Sequence, residues 1–406
     1  MNITKELKYQ CNKTRDRILF YTFWIHRHFI NKQPLTNTIL IIRLDAIGDC
    51  IIWLDQAKEY RKVFPEHRIV LLHNQAWTEI ANRLPWFDEC IPFDRNKVGD
   101  MDYYRKLIVT LNKYNYEKVF SPVFSRDFFT VDWIVHNINA QDKIGYQGDY
   151  QNNKGLANLN LYVQKKYDKL HLKERADRWY TYLVPNDRKC VMELQRNANF
   201  VRKTINPNFR SSLPLIPFEV QKINSLSSSE YAVFFLGASN TYKMWPISSF
   251  VKIVKYIPYN TIVLCGSSKE KYLADSFLSD YKGDKTIVDL IGKTSLFNLI
   301  NVISAANILL SNDTSASHIA VATRTPSICL LGGGHYGRFH PYQTETTDIK
   351  DEKIKPTVIT AHDRTCFLCN WICTKPLQNN RWKCVDDIQV DDVIKAIHNT
   401  CNSFSL

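Results

Sequence analysis

The sequence predicts an α/β architecture of two successive doubly wound domains behind a basic amphipathic leader, and three observations predict it. At 406 residues the chain exceeds what a single hydrophobic core ordinarily serves, because cores stop growing at roughly 250–300 residues. Short apolar runs recur along it, each closing on a turn of small or acidic residues before a helical stretch, which is the signature of buried parallel strands in βα units. That alternation breaks once, in a Pro- and Ser-rich stretch near the middle, and then restarts.

Residues 1–33 come first. They carry Lys5, Lys8, Lys13, Arg15, Arg17, Arg27 and Lys32 against Glu6 and Asp16, with Phe20, Tyr21, Phe23, Trp24, Phe29 and several isoleucines in the second half. The pattern predicts a helix ending before Pro34. It suits either an interfacial helix with cations on anionic headgroups or a helix docked on the body of the protein. The run Thr38-Ile39-Leu40-Ile41-Ile42 then predicts a buried strand, followed by the turn Arg43 to Asp49 and a helix through Arg61. Further strands are expected at Arg68 to His73, Lys118 to Val123 and Lys143 to Tyr146. Asn206 to Ser229 reads as the interdomain connection. Beyond it, strands are expected at Tyr231 to Leu236, Thr261 to Cys265, Thr286 to Asp289, Asn307 to Leu310 and Ser327 to Leu331. The resulting domains are 1–33, 34–215 and 216–406, with ligands expected at the carboxyl ends of the strands.

Several turns carry groups suited to phosphate. Gly237-Ala238-Ser239 precedes Lys243-Met244-Trp245-Pro246, pairing a cation with a helix start. Asp313-Thr314-Ser315 opens another helix, with His318 one turn in; helix N-termini present unpaired N–H groups to anions, although Asp and Thr there also serve as simple caps. Asp49 stands where the first strand passes into its helix, a position for a general base or, again, for a cap. Asp45 and Arg43 precede it, and Asp45 is expected to shape the turn, pair with Arg43 or meet an acceptor.

Taken in order, Ile39 to Leu44 with Ile47-Gly48-Asp49, Gly237 to Ser239 with Lys243 to Pro246, Asp289 to Leu296, and Ser311 to Thr314 with His318 resemble the bacterial heptosyltransferases of glycosyltransferase family 9. The resemblance runs from about Thr38 to beyond Cys384. It implies a GT-B fold, two Rossmann-like domains facing a cleft, with acceptor on the first and nucleotide-sugar donor on the second. It implies an inverting, metal-independent transfer, usually of heptose from ADP-heptose to a lipopolysaccharide-core acceptor. On this chain Asp49 matches the family's base, Lys243 the lysine that meets the donor diphosphate, and Asp313, Thr314 and His318 the loop that holds the donor; Ser239 and Ser315 belong to the same turns. Two departures stand out. Ser315-Ala316 replaces the usual Gly-Pro, and Gly332-Gly333-Gly334-His335-Tyr336-Gly337-Arg338-Phe339 replaces a short Gly-Pro turn, making Gly333, His335 and Arg338 further candidates for donor or acceptor contact.

Cys366, Cys369, Cys373 and Cys384 form C-x2-C-x3-C-x10-C. Four thiolates so spaced suit a structural zinc ion, packed core thiols or a redox linkage; a metal there would be structural, since the segment lies apart in sequence from the base and diphosphate loops. The composition bounds the rest. A net charge of +13 favours anionic partners, here a nucleotide-sugar, a glycolipid or glycan acceptor and a membrane surface touched by residues 1–33. Nucleic acid is not expected, since no zinc-finger or RRM pattern accompanies the scattered aromatics, and a dehydrogenase lacks its G-x-G-x-x-G after the first strand. A non-catalytic nucleotide-sugar-binding protein, another NDP-sugar or a protein acceptor are the competing readings. With no long apolar span and no signal-peptide pattern, a cytoplasmic enzyme is expected, peripheral at most on the inner membrane.

Overall fold

The computed structural model describes residues 34–150, 171–221, 226, 230–346 and 349–404. The leader helix expected over 1–33 lies outside them. The chain divides into two compact units. The first holds the described residues up to Asp45, Phe64–Thr78 and Trp86–Asp187; the second holds Ala46–Val63, Glu79–Pro85 and Arg188–Leu406.

The first unit is a six-stranded parallel sheet in the order β3-β2-β1-β4-β5-β6, formed by β1 (Leu35–Arg43), β2 (Arg68–Asn74), β3 (Glu89–Phe93), β4 (Asn115–Ser121), β5 (Ala140–Tyr146) and β6 (Tyr182–Val184). The last six residues of β1 are buried, as a central strand covered on both faces must be. Leu40, Ile42, Val70, Leu72, Val119 and Tyr116 share one core with Ile108, Leu111 and Ile134 from the covering helices. Beyond β4, the buried Arg126 guanidinium pairs with Asp132 at 3.0 Å and Asp177 at 2.6 Å. Tyr180 and Tyr150 donate their hydroxyls to the same Asp132 carboxylate. With several donors converging on it, this ion pair is compensated in the way a buried charge requires.

The second unit repeats the arrangement, with parallel strands ordered β12-β11-β10-β7-β8-β9: β7 (Tyr231–Phe235), β8 (Thr261–Cys265), β9 (Thr286–Asp289), β10 (Ile308–Asn312), β11 (Ser327–Leu330) and β12 (Thr357–Ile359). All five residues of β7 and of β10 are buried. A two-stranded hairpin, β13 (Leu377–Gln378) and β14 (Arg381–Trp382), pairs antiparallel. Four helices of this unit matter for the site: α1 (Ile47–Val63), α2 (Glu193–Thr204), α3 (Ile247–Ile253) and α4 (Ser315–Ala322). Helix α1 follows β1 in the chain yet belongs to the second unit. It is buried almost all round from Cys50 to Ala57, so its acids are internally matched. The Asp55 carboxylate accepts from the Ser212 N–H at 2.9 Å and hydroxyl at 2.6 Å, and Glu59 accepts from the Asn206 side chain at 3.0 Å. Through these bonds the stretch following Asn206 is docked along α1.

Every strand expected from sequence is present within a few residues. Besides the two-residue strands of the hairpin, three more were not legible: β3, β6 and β12, all at a sheet edge. They run three to five residues and are only partly buried. Strands of that kind lack the long apolar run and include polar residues or proline, as Glu89 and Pro92 do in β3. Among the described residues, no helix is long and apolar enough to cross a membrane.

Candidate active site

In the second unit the strand order reverses between β7 and β10, and the turns leaving those two strands hold the residues that the family resemblance assigns to the donor. Such a switch point opens a crevice at the carboxyl ends of the strands. Asn312, the buried last residue of β10, joins the two turns. Its side-chain oxygen accepts from the Trp245 N–H at 2.9 Å, and its amide donates to the Leu236 carbonyl at 2.7 Å. The Lys243 turn is a short 3-10 segment, Thr241–Lys243, whose start is capped by the Asn240 side chain. Ser239 is exposed just ahead of it.

Helix α4 begins at Ser315 with Thr314 as its N-cap, the threonine oxygen accepting from the Ala316 N–H at 3.3 Å. Asp313 precedes the cap. Burial pushes its carboxyl above the ordinary value, and the charge of Lys243 works against that rise. His318 is buried, with Nδ1 2.8 Å from the Tyr342 hydroxyl, and its ring stacks on His340 at 4.6 Å with the planes 5° apart. Burial alone drives its pKa down to about 3, so the imidazole is neutral at any working pH. When the tyrosine hydroxyl donates to Nδ1, Nε2 carries the remaining hydrogen.

Helix α1 starts against this helix. A Cβ placed on Gly48 would stand 3.0 Å from His318 Cδ2 and 3.6 Å from the Ser315 Cα. Glycine at 48 thus permits the close approach of the two helix starts. Asp49, the next residue, lies in the first turn of α1, half-buried, its carboxylate accepting from the Ala46 N–H at 3.3 Å. Gly48, Ser315 and His318 are therefore brought to one place although more than 260 residues separate Gly48 from the other two.

Arg43 and Asp45 are accounted for within the first unit. The buried guanidinium grips the Asp45 carboxylate with two contacts, 2.9 and 3.1 Å, and reaches the Pro122 carbonyl at 3.4 Å. The Asp45 carbonyl accepts from the Asn74 amide at 3.0 Å and the Trp77 indole at 3.2 Å. These bonds shape the turn after β1.

The glycine loop after β11 is engaged by the protein itself. The Gly333 N–H points at Cys384 Sγ, 3.3 Å away. His335 Nε2 lies 3.0 Å from the Asn370 side-chain oxygen, and burial, with Lys243 and Arg338 adding to it, takes the ring's pKa down to about 3. Arg338 donates from Nε to Glu193 at the start of α2, at 2.9 Å.

Cys366, Cys369, Cys373 and Cys384 carry thiols without a disulfide. Among the described residues, the set of three ligand-type side chains whose atoms lie within 4.8 Å of one another is Asp313, Cys329 and His340. The four cysteines of the segment are not such a set, although Cys366, Cys369 and Cys373 lie near enough for their charges to act on Cys384. The segment also does not stand apart from the diphosphate loops, as its position in sequence suggests. Trp371 lies against Lys243, and Trp371 and Phe367 pack on the glycine loop at Gly332, Gly333 and Gly334. Sequence reasoning gave no role to Tyr342, Asn312, Asn370 or Trp371, because each acts on a partner tens of residues away.

Two parallel six-stranded sheets in this order are those of a GT-B-like fold. Residues 104–361 match the family described as glycosyltransferase family 9 (heptosyltransferase), and the chain belongs to that family. It is 27% identical over 308 residues to lipopolysaccharide heptosyltransferase 3 of Escherichia coli K12, covering 73% of this chain and 82% of that protein. It is 22% identical over 372 residues to lipopolysaccharide heptosyltransferase 1 of Campylobacter coli, covering 88% and 97%. Among solved structures, the family 9 glycosyl transferase of Veillonella parvula superposes with a TM-score of 0.68 at 16% identity, over 92% of this chain and all of that one. The E. coli heptosyltransferase WaaC with ADP-2-deoxy-2-fluoro heptose gives 0.60 at 15%, over 89% and 99%.

Proposed function

We propose that this glycosyltransferase moves a heptose from ADP-heptose to a hydroxyl of a lipopolysaccharide-core or related envelope glycan, with inversion, without a metal ion, and with Asp49 as general base. The observation that carries the reading is the approach of α1 to α4. It brings Gly48, the residue before Asp49, against the helix start and the neutral histidine that the family resemblance assigns to the donor.

In this mechanism the Asp49 carboxylate takes the proton of the acceptor hydroxyl as its oxygen attacks the anomeric carbon. The new C–O bond forms on the face opposite the nucleotide, the bond from the anomeric carbon to the phosphate oxygen breaks, and ADP departs with the electron pair. Charge develops on that phosphate oxygen. Lys243 and the N–H groups at the start of α4 are the groups able to stabilise it, a task that preorganised donors perform best away from water. His318, being neutral, contributes a hydrogen bond and no charge.

Calorimetry with ADP-, GDP-, UDP- and dTDP-sugars tests the donor. The ADP-sugar is expected to bind at least about tenfold more tightly than the others, a margin of about 1.4 kcal/mol, and turnover is expected to survive EDTA unchanged. Preference for another nucleotide would overturn the donor assignment. Tight donor binding with no turnover on any acceptor would favour a non-catalytic sensor.

A further inference from the structure

The segment from Cys366 to Cys384 touches the Lys243 turn and the glycine loop after β11, and its contacts centre on Trp371. The Lys243 ammonium sits 4.2 Å from the centre of the Trp371 ring, within the range at which an aromatic face holds a cation. The other contacts of the same indole hold the glycine loop. Cβ atoms on Gly332 and Gly334 would meet Trp371 ring carbons at 2.6 and 2.4 Å, and one on Gly333 would meet Phe367 at 2.2 Å. Side chains are excluded there because the rings lie directly on the backbone. The Leu368 and Asn370 N–H groups donate to the Gly333 and Gly334 carbonyls at 2.9 and 3.0 Å. Farther along the segment, Arg381 donates to the Met244 carbonyl at 2.9 Å, and Trp382 packs edge-on against Tyr242 at 5.3 Å, so the residues on either side of Lys243 are held as well. The backbone supports the same reading. Leu368, Asn370 and Trp371 have φ of 68°, 48° and 62°, a left-handed conformation that bulky L residues adopt only where the surroundings over-determine it.

We propose that Trp371 is a positioning residue for donor recognition: its ring, fixed by the cysteine-rich segment, aims Lys243 at the diphosphate of a nucleoside diphosphate donor. The inference rests on the reading of Lys243 as a diphosphate ligand. The ring leaves the ammonium's charge intact while restricting a long, many-torsion side chain. Fixing it before binding removes an ordering cost that would otherwise be charged to the donor.

The test compares ADP and adenosine affinities, by competition calorimetry, for the whole chain and for Trp371→Ala, Trp371→Phe, Lys243→Ala and the double variant Lys243→Ala with Trp371→Ala. Trp371→Ala is expected to bind ADP about tenfold more weakly and adenosine equally well, and Trp371→Phe to recover most of the loss, since a phenyl face also holds a cation. In the Lys243→Ala background the second substitution is expected to change nothing further. If Lys243→Ala weakens ADP but Trp371→Ala does not, or if the two losses add, Trp371 does not act through Lys243 and the inference fails while the donor reading stands. If Lys243→Ala binds ADP like the parent, or the parent binds no ADP, the donor reading fails and the inference with it. Equal loss for ADP and adenosine in Trp371→Ala, uncorrected in Trp371→Phe, would show a collapsed site and also overturns the inference; thermal melts of each variant identify that outcome.

Discussion

At the scale of single residues, the neutral state of His318 follows from where its ring is placed. It is enclosed between His340 and the start of α1, and its Nδ1 is matched by one hydroxyl, that of Tyr342. Removing that hydroxyl while keeping the ring leaves a buried acceptor without its partner, which costs about 1–3 kcal/mol. Tyr342→Phe is therefore expected to lower the melting temperature by several degrees, at roughly 2–4 °C per kcal/mol for a cooperative unit of about 150–250 residues, and to reduce transfer as His318 loses its fixed orientation. An unchanged melting curve would show that the hydrogen bond is replaced by water or is not made. His318, Asp49 and Lys243 could be named from sequence because each sits in a short motif at a strand end. Tyr342, 24 residues beyond His318, could not, since no local pattern marks a side chain whose only signal is the distant group it meets.

At the scale of elements, the glycine loop after β11 and the cysteine-rich segment fold against each other as one wall. Gly333→Ala would force a Cβ to within 2.2 Å of Phe367. Overpacking of this kind typically costs about 1–3 kcal/mol, so denaturant unfolding of Gly333→Ala should show a lower midpoint at an unchanged slope. A midpoint equal to the parent's would mean that Phe367 moves aside without penalty. The central strands β1, β7, β8, β10 and β11 were readable because burial on both faces writes a continuous apolar run. The edge strands β3, β6 and β12 were not, because half-covered backbone accepts polar residues and short lengths. The wall was legible only as a spacing of cysteines. The packing of Trp371 and Phe367 on three consecutive glycines has no periodic signature at all.

At the scale of the whole molecule, buried neutral imidazoles set the acid limit of stability. His318 and His335 have folded-state pKa values pushed down to about 3 by burial, and His73 is lowered for the same reason, while an exposed histidine in the unfolded chain titrates near about 6.5. Between those values the unfolded chain binds protons that the folded chain does not. The contribution is therefore fully present above about pH 6.5 and is lost as pH falls, by about 1.4 kcal/mol per pH unit for each such residue. Unfolding free energy measured from pH 7.5 to 5 should decline with that sign; a flat profile would mean that these rings are hydrated or protonated in the folded state. The two-sheet architecture was the most legible feature of the sequence, since length and alternating pattern both demand it. The transfer of α1 to the second unit was not, because α1 follows β1 directly and only its long-range partners, Ser212, Asn206 and His318, reveal where it packs.

The central claim is that Asp49, in the first turn of α1, is the base of an inverting transfer, and single-turnover kinetics of Asp49→Asn with ADP-heptose and a heptose-deficient core acceptor tests it most directly. Loss of a positioned general base is worth about 10²–10⁴ in rate, so the turnover step is expected to slow by that factor while donor affinity stays within about twofold of the parent. Transfer by Asp49→Asn at the parental rate would contradict the account.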